Sequence, residues 1–483
     1  MTDASPHIVL FRDDLRLADN PALTHAAHTG APVLALFLLE PESETRRPPG
    51  AAARWWLHGS LVSLRGDLEA RGVPLALMRG SAHATLIDLV RRVGACAVSW
   101  NRRAGAPSRE EDEILASALK DEGVETHHFP ANMLFEPEAV RTGSGGAYRV
   151  FTPFWRAARQ ITPDAPLPVP QAIKGWKGAF ESERLEDWGL LPTKPDWAGG
   201  IAQVWTPGES DARLRLDAFV QRTVADYGER RDFPADAATS LLSPSLRFGE
   251  ISAREIWHRV RAAIAAGDAP EADAEKFLSE VGWREFCHHL LGGHRDLATR
   301  NFNPAFDRFP WARDEKALAA WQKGRTGYPI VDAGMRELWT TGWMHNRVRM
   351  IAASFLTKHL LIDWQEGERW FWDTLVDADP ANNPAGWQWV TGCGADAAPY
   401  FRIFNPVLQG EKFDPEGAYV RHWVPELERL DKRWLHKPWE APARALSEAG
   451  VRLGETYPRP VVDHGSARKR ALSAYETMRS DAP

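Results

Sequence analysis

At 483 residues, with 44% apolar and 26% charged residues, the chain has the make-up of a globular protein of two or three domains with a large core. A formal net charge of −6 excludes a protein that coats nucleic acid indiscriminately, and three scattered cysteines (Cys96, Cys287, Cys393) exclude a disulfide framework and a metal site of four thiolates. The longest apolar run, residues 32–39, is too short to span a bilayer and the first six residues carry no apolar targeting core, so a cytoplasmic protein without a membrane partner is expected.

Residues 7–11 (HIVLF) and 33–39 are apolar runs bounded by polar turns, and further strands are expected at 74–78, 97–100 and near 125–129. The intervals carry helical patterns, as at 54–71 and 109–122. Strand and helix in alternation predict an α/β domain with a doubly wound, Rossmann-like parallel sheet. No Gly-x-Gly-x-x-Gly follows the first strand, so the usual dinucleotide seat is not expected there. Residues 130–208 turn to Pro, Gly and Trp with little periodicity, which predicts a long connector laid over the surface. From residue 211 the patterns are nearly all helical. The expected division is an α/β domain over 1–130, a connector over 131–208 and an all-α domain over 209–483.

Three stretches of the helical part combine polar groups with indoles. Residues 341–350 (TGWMHNRVRM) would place Trp343, Asn346 and Met350 on one helical face with Arg349 beside them, a mixture suited to a pocket wall or to a satisfied core helix. Phe277, Glu280 and Arg284 share a second face with Trp283 flanking, where the two charges could equally be a structural ion pair. Residues 239–244 (TSLLSP) gather hydroxyls at a helix start, which cap helices and can also hold phosphate. Basic residues crowd the stretch from 284 to 349, so a local phosphate-binding patch is compatible with the negative total. No metal site is expected. The 22 Trp against 7 Tyr exceed what packing calls for.

These residues carry a resemblance. Residues 11–23 (FRDDLRLADNPAL), 150–154 (VFTPF), 324–336 (GRTGYPIVDAGMR), 342–350 and 397–406 (AAPYFRIFNP) are similar to the signatures of the cryptochrome/photolyase family, and the chain resembles its bacterial class I type enzymes for cyclobutane pyrimidine dimers. The resemblance implies FAD in the helical domain, with Tyr227, Thr239, Ser240, Leu242 and Ser243 on its phosphate and ribose side and Arg284 adding charge. It also implies Asn346, Arg349, Asp377, Asp379 and Asn383 around the ring and ribityl chain. The implied substrate is a flipped-out pyrimidine dimer in DNA. Trp283, Met350 and Trp389 would wall its pocket, Glu280 and Asn346 would touch it, and Arg231 and Arg347 would take the flanking phosphates. Trp387, Trp364 and Trp311 match the family's three-indole chain for flavin photoreduction.

Phe277 stands where many relatives have Trp, which keeps an aromatic wall. The antenna chromophore is left open, and folate is disfavoured, because Ala104-Gly105 stand where folate-binding relatives carry a carboxylate. The competing functions are a cryptochrome photoreceptor without repair and a six-four photolyase. Asn383, Glu280 and Met350 weigh against the first. The single histidine of His345-Asn346, where six-four enzymes have a pair, weighs against the second. His288-His289 are neighbours that face apart, so they form neither that pair nor a metal site. A monomer is expected.

Overall fold

The five apolar runs become five parallel strands: β1 (His7–Phe11), β2 (Val33–Leu39), β3 (Leu75–Arg79), β4 (Ala97–Asn101) and β5 (Glu125–Phe129), in the order β3-β2-β1-β4-β5. The computed structural model describes residues 4–43, 46–103, 105–397 and 401–480. Ala104, part of the antenna argument, and residues 398–400 of the last signature lie outside the described residues. The chain divides into two compact units. The first takes Met1–Gly199, Trp205–Ala225 and Ser240–Arg295; the second takes Gly200–Val204, Asp226–Thr239 and Asp296–Pro483.

In the first unit, helices α1 (Pro21–His28), α2 (Ala51–Glu69), α3 (Ala82–Val93) and α4 (Ala106–Asp121) make the crossovers. Helices on both faces explain why β1 is apolar from Ile8 to Phe11 and buried at every residue. β5 is the partly exposed edge, so its sequence, ETHHF, has no apolar run to show. Local chemistry fixes the helix ends: Asn20 accepts from Leu23 N, Ser81 accepts from Ala84 N, and Gly94 closes α3 at φ +61°. Between β1 and β4 the strand order reverses, where such sheets commonly bind ligands. Here the strand ends bond one another: Asn101 donates to Asp14 (2.6 Å) and Asn20 (2.8 Å), and Arg103 pairs with Glu40 at 2.8 Å.

The stretch expected to lie over the surface is anchored at intervals by buried side chains, while most of residues 159–184 are exposed or half-buried. It forms α5 (Phe151–Ala158), and Phe154, Ala158, Leu185 and Trp188 are buried. The cause lies in its aromatics, whose burial outweighs the lack of periodicity. The same unit holds the long Glu271–Gly293 helix, with Phe277, Leu278, Val281 and Phe286 on its buried side.

The second unit is helical. Its core is built on the Pro329–Thr341 helix, in which ten of thirteen residues are buried, with Trp321, Phe355, Trp364, Phe371 and Trp387 around it. Asp332 accepts from Thr326 N and Oγ1 (both 2.6 Å), Gly327 N (3.0 Å) and the Tyr457 hydroxyl (2.7 Å). That fourfold acceptor explains the residue types of the 324–336 signature.

One expectation is corrected. Trp343 is not on a helix with Asn346 and Met350. Gly342 ends the preceding helix at φ +68°, and the next runs Asn346–Ser354 with His345 as N-cap, its Nδ1 accepting from Arg347 N. Trp343 lies in the joint. A π-helical turn, Phe355–His359, continues the chain.

Candidate functional site

In the second unit, the Asn346–Ser354 helix and the turn before the Asn382–Thr391 helix supply most of the expected polar groups. Arg349 donates to Asp377 at 2.8 Å and to the Met344 carbonyl at 2.7 Å. Asp377 is buried, and its Oδ1 meets no partner among the described residues. A buried acceptor left this way costs about 1–3 kcal/mol, so the site is chemically incomplete without an outside donor. Asp379 Oδ1 closes its own turn, accepting from Ala381 N (2.8 Å), Asn382 N (2.7 Å) and Asn382 Nδ2 (2.8 Å). Asn383 spends its amide nitrogen on Glu368, donating to the backbone carbonyl (3.1 Å) and to Oε1 (2.8 Å). Its oxygen is the acceptor of that amide.

Asn346 is exposed at the first position of its helix, and Met350, one turn on, is half-buried against the core. Arg347 pairs with Asp232 at 2.6 Å and lies 4.5 Å from the Phe413 ring centre, while Arg231 stands 5.3 Å from the ring of Tyr227, which is buried. Thr239 and Trp389 are half-buried.

The three expected indoles sit on separate elements of this unit. Trp387 is buried against the Trp364–Thr374 helix so closely that a Cβ at Gly367 would overlap its ring; its Nε1 has no partner among the described residues. Trp364 is fully buried and donates to Asn301 at 2.9 Å. Trp311 is half-exposed, 4.3 Å from Phe309 by ring centres, and its segment is tied to the chain just before that helix by Ala312 N donating to the Leu361 carbonyl (2.7 Å).

The first unit holds the rest. Glu280, Trp283 and Arg284 project from the Glu271–Gly293 helix. Glu280 pairs with Lys276 at 3.4 Å and keeps about a quarter of its side chain exposed. Trp283 lies flat on Phe151, with centres 3.8 Å apart and planes 10° apart. The first aromatic of the VFTPF signature thus serves to fix this indole. Phe277 is buried and packs on Phe219 at 4.4 Å. Arg284 is already countered, donating to Glu285 (2.6 Å) and the Asn132 carbonyl (3.0 Å). Ser240, Leu242 and Ser243 surround the start of a five-residue helix, Ser243–Arg247, whose N-cap Leu242 offers no capping side chain. The N-cap position is thus taken by a leucine and not by one of the hydroxyl residues. Leu241 is held at φ +53°, a conformation costly without glycine.

Sequence reasoning missed Glu337, Glu368 and Asp232. Glu337 accepts from His345 N (3.2 Å) and the Tyr419 hydroxyl (2.6 Å), and burial pushes its carboxyl up to about 7. It anchors the start of the Asn346–Ser354 helix. Burial likewise pushes the His345 imidazole down to about 4. None of the three acids has a local signal, because each meets partners far along the chain. Among the described residues no group of His, Cys, Asp and Glu could hold a metal, and no helix is long and apolar enough to cross a membrane.

Known proteins agree with these features over the whole chain. The family model "FAD binding domain of DNA photolyase" matches residues 277–477 and the "DNA photolyase" model matches residues 7–171. The deoxyribodipyrimidine photo-lyase of Agrobacterium fabrum is 52% identical over 98% of both chains. Cryptochrome-1 of Arabidopsis thaliana is 39% identical over 98% of this chain and 70% of its own. The crystal structure of a bacterial class III photolyase from Agrobacterium tumefaciens matches with a TM-score of 0.96 at 51% identity, covering 99% of both chains. The expected class I placement gains nothing from that likeness, since the matched protein is named a class III enzyme. The chain therefore belongs to the cryptochrome/photolyase family, as an enzyme of the photolyase kind that carries the family's FAD-binding domain.

Proposed function

We propose that the protein repairs cyclobutane pyrimidine dimers in DNA under light, as a cytoplasmic monomer organised as an α/β domain over 1–130, a connector over 131–208 and a helical FAD domain over 209–483. The observation that carries this is the buried oxygen of Asp377 beside Arg349, unmatched among the described residues, an acceptor suited to the N–H edge of a flavin. FAD, when bound and reduced, supplies the photoexcited electron that opens the cyclobutane ring and takes it back afterwards, with no net redox change.

The chain's own residues bind, orient and exclude water. Arg349 fixes Asp377 through one carboxylate oxygen, and Glu368 fixes the amide of Asn383. Tyr227, Thr239, Ser240, Leu242, Ser243 and Arg284 are assigned to the cofactor's phosphate and ribose side, and Asp379 to the ring. Trp283, which Phe151 fixes, is assigned with Met350 and Trp389 to the apolar sides of the dimer. Glu280 and Asn346 are assigned to its polar edge. Glu280, with Lys276 3.4 Å away, is assigned to hydrogen-bonding the pyrimidine carbonyl on which charge grows. Arg231 and Arg347 hold the phosphates beside the lesion without reading sequence. Trp387, Trp364 and Trp311 are assigned to photoreduction. A folate antenna is not assigned.

Against a photoreceptor stand Glu280, Met350 and Asn383, which that role does not require. Glu280→Ala is expected to keep its flavin and lose severalfold or more of light-driven dimer loss. Undiminished repair would remove Glu280 from the role, and repair of six-four photoproducts alone would move the protein to that class.

A further inference from the structure

The acid that meets the phosphate-binding arginines is unexplained by repair chemistry. Asp232 stands between them, with Oδ2 2.6 Å from Arg347 Nη2 and Oδ1 3.9 Å from Arg231 Nε. An exposed ion pair would constrain little, but these arginines are mostly covered, with 19% and 11% of their side chains exposed against 32% for Asp232. Each guanidinium also lies over an aromatic face, Arg347 at Phe413 (4.5 Å) and Arg231 at Tyr227 (5.3 Å), and Phe233 meets Phe413 at 6.3 Å. The carboxylate is therefore built in between two fixed cations, and the trio presents one net positive charge where two arginines alone would present two.

Resting on the repair function proposed above, we infer that Asp232 is a specificity-determining residue that holds Arg231 and Arg347 back from undamaged DNA. An intact duplex docks loosely, leaves Asp232 in place and feels a single charge. A backbone bent around an extruded dimer brings phosphate oxygens within reach of both guanidiniums and exchanges the carboxylate for charge-assisted hydrogen bonds. Losing the carboxylate thus strengthens non-specific binding more than lesion binding.

The test is dark binding of flavin-loaded wild type and Asp232→Asn to an undamaged duplex and to the same duplex with one thymine dimer, at several salt concentrations. Asp232→Asn should bind the undamaged duplex roughly threefold to tenfold more tightly at low salt, as one charge a few ångströms from a phosphate implies. Its salt dependence should steepen by about one unit of slope, and its preference for the dimer should fall. Adding Arg347→Gln should abolish the gain, and Asp232→Ser serves if Asp232→Asn does not fold. Equal affinities for wild type and variant, or weaker binding of both duplexes, would overturn the inference. A wild type that does not prefer the dimer would overturn the repair function on which it rests.

Discussion

Two buried aspartates of the helical unit do opposite things: Asp332, in the first turn of the Pro329–Thr341 helix, and Asp377, in the turn before the Asn382–Thr391 helix. Asp332 accepts four hydrogen bonds from its own chain. Among the described residues Asp377 is held by Arg349 and keeps one oxygen unmatched. The first lies in a long family signature and is consumed by folding, while the second is left incomplete, as a ligand site must be before its ligand arrives. A long signature therefore marks architecture as readily as chemistry, and unmatched buried atoms separate the two.

The sharpest way to break this contrast is to remove both side chains in turn. Asp332→Ala leaves four donors unsatisfied and should cost about 3–5 kcal/mol, read by denaturant unfolding, with flavin lost only because the fold is lost. Asp377→Ala should cost about 1 kcal/mol or less and lose flavin from a folded protein. If the two behave alike, the contrast is wrong.

Buried charge elsewhere in the unit sharpens it. Burial pushes the Lys358 amine down to about 7, with the Arg402 carbonyl 3.4 Å away and the Phe401 ring 3.5 Å away. A base whose folded pKa is depressed lends its full stability only above its unfolded value near 10.5 and loses it as pH falls to 7. Lys358→Met should therefore stabilise at pH 7 by about 2 kcal/mol, with the gain fading towards pH 10. Glu337 has the reverse sign: its folded pKa of about 7 lies above the ordinary 4.5, so its contribution is complete below 4.5 and declines as pH rises through 7. Glu337→Gln should become more stable than wild type by about 1–2 kcal/mol at pH 8, with no advantage at pH 4. The smallest change in stability is expected for the partly exposed Trp311. Trp311→Phe should block photoreduction of oxidised flavin, seen by absorbance under blue light, and spare repair by prereduced enzyme.

The sheet was legible because strands covered on both faces must be largely apolar, as β1 and β2 are; β5, a half-exposed edge, was visible mainly by its place in the alternation. Trp343 was misplaced although Gly342 carried the signal that ends a helix. The anchor points of the connector carry no period in the sequence, because isolated aromatics can pack as well as periodic ones. Within the candidate site, residue types that suit phosphates and rings were readable from motifs. Asp232, Glu337 and Glu368 were not, since each is a lone acid whose partners, Arg347, Tyr419 and Asn383, lie 15 to 115 residues away.

The most direct measurement is illumination of the purified wild type, with its flavin reduced, together with an oligonucleotide containing a thymine dimer and a dark control. The repair function predicts light-dependent loss of the dimer and none in the dark. Flavin bound and reduced while the dimers persist under light would contradict it and leave a photoreceptor.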